Sequence, residues 1–208
     1  IGDAGSSNVG GIVGYATKTA VIKMTYNTGD IYSYVSAGGL IGNNYDTVNI
    51  ENSYNVGDII VEDGFGGGFV GKAYGDVIII NSLNIGNITS FNPYTGTKVG
   101  GFIGSVYNAY IYNSINFGNV SAYADDATLG AIIGGQAVQK DIVNTYYTGI
   151  VLIQNIEVLG IQEGILITDI TSLDESFFIN NLNWSSDIWS FTNINITNGV
   201  YPNLISFQ

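Results

Sequence analysis

"GGLIGNNYDTVNIENSYNVGDI", residues 38–59, decides the fold once its copies are found. Its opening motif recurs as "GGIVG" from Gly10, "GGLIG" from Gly38, "GGFVG" from Gly67, "GGFIG" from Gly100, "GAIIG" from Gly130 and a degenerate "GIQEG" from Gly160. The steps between these starts are 28, 29, 33, 30 and 30 residues. Its closing motif keeps pace: "TYNTGDI" from Thr25, "SYNVGDI" from Ser53, "SLNIGNI" from Ser82, "SINFGNV" from Ser114 and "TYYTGIV" from Thr145. Two motifs locked in phase at a period of about 30 residues are the mark of a solenoid or array, in which one unit cannot bury its own apolar side.

Aligned, the units give columns. Ile22, Ile50, Ile79, Ile111 and Ile142 form one. Four residues on lie Tyr26, Tyr54, Leu83, Ile115 and Tyr146, and two further on Thr28, Val56, Ile85, Phe117 and Thr148. Even offsets place these three columns on one face of an extended strand. Apolar residues do not recur at helical spacing. The predicted fold is therefore all-β, a right-handed parallel β-helix of about five coils of 28–33 residues. Each coil is predicted to hold about three short strands joined by Gly, Asn and Asp turns, with each strand pairing to its copy about 4.8 Å away. The glycines fall where a turn is tight or a Cβ would strike the next coil.

Composition agrees and excludes several functions. Of 208 residues 29 are Gly and only 2 Pro, and Ile, Val, Tyr and Asn are abundant, which favours strands and tight turns. Net charge is −12, with five Lys, no Arg and no His, so the cations that neutralise phosphates are missing and nucleic acid is not an expected partner. Without Cys or His there is no disulfide, no nucleophilic triad and no His- or Cys-ligated metal. No apolar run is long enough for a transmembrane helix. The chain begins at Ile1 and reads as an excerpt or a mature fragment.

The stretches "GGLIG" at Gly38–Gly42 and "NSYNVGDI" at Asn52–Ile59, with their copies, resemble the GLUG-motif repeats of bacterial surface proteins. Such repeats include the region preceding the catalytic domain of IgA-cleaving metallopeptidases. The resemblance covers roughly residues 1–164. It implies a β-helix stalk or adhesion module of an exported protein, extracellular or at the cell surface. It does not carry peptidase activity over, because no His is present.

The two ends differ. Gly2–Asp3 match Gly29–Asp30, as if the tail of an earlier unit, and leave the first coil with an open edge at which a second copy could associate. Residues 1–164 are assigned to the β-helix and 165–208 to a C-terminal cap. There, Ser172 and Glu175 form a capping box opening one short helix, Leu173–Leu182. Phe177, Phe178, Trp184 and Trp189 are expected to plug the last coil, with a tryptophan sugar platform as the alternative use.

Candidate chemistry is sparse. Asn52, Asn81, Asn113 and Asn144 align, with Met24 in the first unit, and Asn27, Asn55, Asn84 and Asn116 align, with Tyr147 in the last. Stacked amides form hydrogen-bonded ladders. The Asn52 column has core parity, so either it is a satisfied interior ladder or a bulge breaks the alternation. Asp30 and Asp58 stack in a turn and are the candidate calcium ligands, and no other cofactor is expected. The hydroxyl column Thr25, Ser53, Ser82, Ser114, Thr145 raises ice binding, although regular Thr pairs are absent. No acid column combines with a cation or His as sugar hydrolysis on a β-helix would need. The expected function is a non-catalytic rod contacting a glycan or protein of a host or neighbouring cell. A self-assembling filament and a polysaccharide-acting enzyme are the alternatives.

Overall fold

The computed structural model describes residues 7–91, 96–135, 137–161 and 163–205. The chain winds as a parallel β-solenoid of about five coils. The Gly2–Asp3 match lies outside the described residues.

Each complete coil contributes five strands, not three. They build five sheets, numbered here in order along a coil. The second coil shows the pattern: Ser36–Gly38, Ile41–Asn44, Val48–Glu51, Tyr54–Asn55 and Ile59–Val61. The extra strands are two to four residues long, too short for periodicity to register against the turns around them. Pairing between successive coils is parallel and in register. In sheet three, Ile22 pairs with Ile50, Ile50 with Ile79, Ile79 with Ile111 and Ile111 with Ile142. In sheet five, Ile31, Ile59, Ile88, Val120 and Val151 stack in the same way.

The interior is divided. One apolar cluster lies between sheets two and three, with Ile41, Val70, Ile103, Ile50, Ile79 and Ile111 buried in it. A separate cluster lies between sheets one and five, around Ile59, Val61, Ile88, Val99 and Val120. The two meet at the paired glycines. A Cβ on Gly39 would stand 2.2 Å from the Gly68 carbonyl oxygen and 2.5 Å from Asn55 Cγ, and one on Gly68 2.2 Å and 2.5 Å from Gly101 O and Asn84 Cγ. No side chain fits there, so the waist of the coil is set by glycine. This contact is also why the two motifs keep phase: the second glycine of one makes room for the asparagine of the other.

The column Tyr26, Tyr54, Leu83, Ile115, Tyr146 does not face inward with the isoleucines. Met24, Asn52, Asn81, Asn113 and Asn144 all hold a left-handed backbone, φ 47–51°. One such residue between two strands reverses which side chains point in. Asn55, Asn84 and Asn116 turn to the interior, while Tyr54, Leu83 and Ile115 point out of the solenoid. Asn is among the few residues that accept this conformation at low cost, so the column is a set of corners and the alternation does break.

The outward column is covered by the C-terminal segment. Tyr54, Leu83 and Ile115 are buried with Leu173, Phe178, Leu182, Trp184, Trp189 and Phe191 in a third cluster. The aromatics therefore line the flank of sheet four and do not plug the last coil. Phe177 meets Tyr146 at a centroid distance of 5.2 Å, Trp184 donates from Nε1 to the Asn113 carbonyl at 2.7 Å, and Trp189 lies 6.1 Å from Tyr54. The segment thus runs back across the rungs, drawn by the apolar stripe that the left-handed corners expose. Its helix is shorter than expected, a π-helical turn at Phe177–Asn181, with Asp174 Oδ1 accepting from Phe177 N at 2.9 Å. Ser172 instead ends a separate 3₁₀ turn, Ile170–Ser172, capped by Asp169. Parallel pairing continues to Ile165–Leu166 on Tyr146–Tyr147, while sheet five closes with Ile156–Glu157 antiparallel to Leu152–Ile153.

Candidate functional site

Three polar ladders run along the solenoid. In the innermost, Asn27 Nδ2 donates to Asn55 Oδ1, Asn55 to Asn84 and Asn84 to Asn116, each at 2.8 Å. The second Nδ2 proton of each goes to the carbonyl of the glycine two residues on, at 2.7–2.9 Å. Asn55, Asn84 and Asn116 are fully buried, so these bonds satisfy amides that would be costly to leave unpaired. The ladder ends where Asn116 donates to the Ala131 carbonyl at 2.9 Å. In that fifth unit both partners of the waist change together, Gly to Ala131 and Asn to Tyr147, and Tyr147 packs on both interior clusters.

The hydroxyl column is the second ladder. Thr25, Ser53 and Ser82 N–H groups donate to the hydroxyl one coil on, at 3.1–3.3 Å. Ser53, Ser82 and Ser114 are fully buried, so this column presents no ordered face to ice. The third ladder holds the predicted calcium ligands. Asp30 Oδ1 accepts from Asp58 N at 2.9 Å, and Asp58 Oδ1 from Asn87 N at 2.8 Å. Asn87 and Asn119 repeat the bond with Asn119 N and Ile150 N at 3.0 Å each. The structure thus brings Asp30 and Asp58 together in a staircase of backbone contacts. Among the described residues no three His, Cys, Asp or Glu gather as a metal cluster.

Asn81, Asn113 and Asn144 also touch in sequence, with Asn113 donating to Asn81 and Asn144 to Asn113 at 3.3 Å. Asn52 turns instead to Glu51 Oε1 at 3.4 Å.

Several tyrosines stand open to solvent along one edge. Tyr45, Tyr74 and Tyr107 each stand three residues after the last glycine of a G-G-x-x-G motif, and all are exposed. Tyr45 stacks on Tyr74 at 4.5 Å, Tyr15 meets Tyr45 edge-on at 6.1 Å, and Lys72 Nζ lies 4.4 Å from the Tyr74 ring centre. This tyrosine edge escaped the sequence reading, although the fixed +3 spacing could have revealed it. At the other end of sheet three, Tyr112 donates to Asp141 at 2.9 Å, and burial first, then that bond, raise its pKa. On the covered flank, burial raises Tyr54 and Tyr201. The Glu62 hydrogen bond is the main cause raising exposed Tyr32.

Trp184 and Trp189 stack on each other at 4.4 Å and are buried, so neither offers an open face as a sugar platform.

Residues 5–32 match the family model described as the GLUG motif. The later units share its columns and stack on it in register, so along the solenoid the chain is similar to GLUG-motif repeat proteins. A crystal structure of a candidate immunoglobulin A1 protease from Bacteroides ovatus has a similar fold, with a TM-score of 0.72 at 20% identity over 88% of this chain. The chain spans 57% of that protein's length. No curated protein sequence matches the chain. Among the described residues no helix is long and apolar enough to cross a membrane.

Proposed function

We propose that the chain is a non-catalytic, rigid segment of an exported bacterial surface protein, holding contact surfaces for a glycan or protein away from the cell. The observation that carries this is the shared register of its ladders over the first four coils. Amides, hydroxyls and turn carboxylates each bond to their copies along the coils, so neighbouring rungs are tied by side chains as well as backbone. Such a stack resists bending, since tilting one rung breaks several buried bonds at once. The motif residues are spent on this framework, and the exposed tyrosine edge is left available for contact, where aromatic residues are enriched in recognition surfaces.

A head-to-tail filament is less well supported. The antiparallel Ile156–Glu157 strand closes one of the five sheets, so a second copy could not continue all of them in parallel register.

The test is to present immobilised protein with a panel of glycans and cell-surface proteins and follow retention and product together. Retention without product, with a narrow distance distribution between spin labels on the first and fifth coils, is expected. Product formation, or a broad distribution, would overturn the reading.

A further inference from the structure

We infer that the depression beside Trp189 binds one residue of a neutral, hydroxyl-rich glycan. This rests on the glycan-contact part of the function proposed above and adds a contact surface separate from the tyrosine edge. The depression has a volume of about 370 Å³ and is walled by Glu175, Ser186, Trp189, Ser190, Thr192 and Asn193. That is at the lower end of ligand pockets, about 300–1,000 Å³.

Its chemistry selects the ligand. Glu175 supplies a carboxylate that accepts hydrogen bonds, three hydroxyls donate or accept, and the Asn193 amide does both. Ser190 Oγ donates to Thr192 Oγ1 at 3.3 Å, which holds the two oxygens side by side and leaves the Thr192 hydroxyl proton for a ligand. No cation lines the depression and the chain carries −12, so phosphate, sulfate and uronate groups are disfavoured. A vicinal diol fits: its two hydroxyls donate to the carboxylate while its oxygens accept from Ser, Thr and Asn.

The walls are also built to hold shape. Trp189–Ser190 pairs with Asn203–Leu204, the Trp189 ring packs against Trp184 and Tyr54, and Asn193 is fixed in a left-handed turn at φ 58°. One group in this wall lacks a partner. The Trp189 indole N–H is buried without an acceptor among the described residues, whereas the Trp184 indole is bonded to Asn113.

The experiment titrates neutral monosaccharides and their oligomers into ¹⁵N-labelled protein and follows the two indole N–H signals, assigned with Trp184→Phe. The expected result is a saturable shift of the Trp189 signal with the Trp184 signal still, at a Kd near about 1 mM for one sugar residue. Glu175→Gln and Thr192→Val, both at exposed positions, should each weaken binding about tenfold, and Tyr74→Ala should not.

Neutral glycan bound with loss in Tyr74→Ala and none in Glu175→Gln would overturn this site and keep the contact function. So would binding of a protein partner with no sugar response up to tens of millimolar, several times the expected Kd. A Trp189 shift caused by organic amines and not by sugars would overturn the ligand class. No binding to any glycan or protein would overturn both proposals.

Discussion

Replacing Asn84 by Leu tests whether the buried amide ladder holds the rungs together. The side chains are close in size, so the change removes polarity with little change in volume. Three bonds go: Nδ2 to Gly86 O, Nδ2 to Asn116 Oδ1, and the bond Asn84 Oδ1 accepts from Asn55. Asn116 Oδ1 keeps Gly118 N at 3.1 Å, so the groups left wanting are the Gly86 carbonyl and one Asn55 proton. Each unsatisfied buried neutral group costs about 1–3 kcal/mol, giving a loss of about 4 kcal/mol. Asn27→Leu, at the half-buried end of the same ladder, strands only Asn55 Oδ1 and should cost about 1–2 kcal/mol. Urea unfolding followed by far-ultraviolet circular dichroism and tryptophan fluorescence measures both. Equal losses in the two variants, or a loss below about 1 kcal/mol for Asn84→Leu, would refute the ladder as a main stabiliser.

Other outcomes follow from single contacts. Asn113 sits at φ 51°, so Asn113→Ala should destabilise by about 1 kcal/mol or more and Asn113→Gly by less; the reverse order in thermal unfolding would show that the corner is not the reason for Asn. Asp58→Asn should leave stability unchanged, as Asn87 and Asn119 make the same bond, while Asp58→Ala should lose about 1 kcal/mol. Calcium should not raise the melting temperature of the unsubstituted protein, and a rise that Asp58→Asn abolishes would establish the ion site. Burial raises Tyr54 and Tyr201 above the unfolded tyrosine value near about 10, so their contribution is full below that pH and lost as pH climbs through the raised values. Alkaline titration at 295 nm should show late-ionising tyrosines together with release of the C-terminal segment. Tyr54→Phe should move that release to higher pH, and an unmoved transition would remove Tyr54 from the account.

The amino-acid sequence determined the repeat, its period, the parallel stack and the column register, because a unit of about 30 residues with one apolar stripe can bury it only against copies of itself. Gly39, Gly68 and Gly101 were legible as places of close approach, and the reason became plain once Asn55, Asn84 and Asn116 were seen facing them. Three features were decided only in the tertiary structure. Parity cannot reveal a left-handed residue, so Asn52 and its copies sent Tyr54, Leu83 and Ile115 outward against the alternation. That outward stripe in turn drew Trp184 and Trp189 onto the flank instead of the end, a contact between residues as far apart as Asn113 and Trp184 that no local pattern encodes. The depression walled by Glu175, Trp189 and Thr192 exists for the same reason: it is assembled by the fold of the segment that covers the flank, from residues whose spacing along the chain carries no periodic signal.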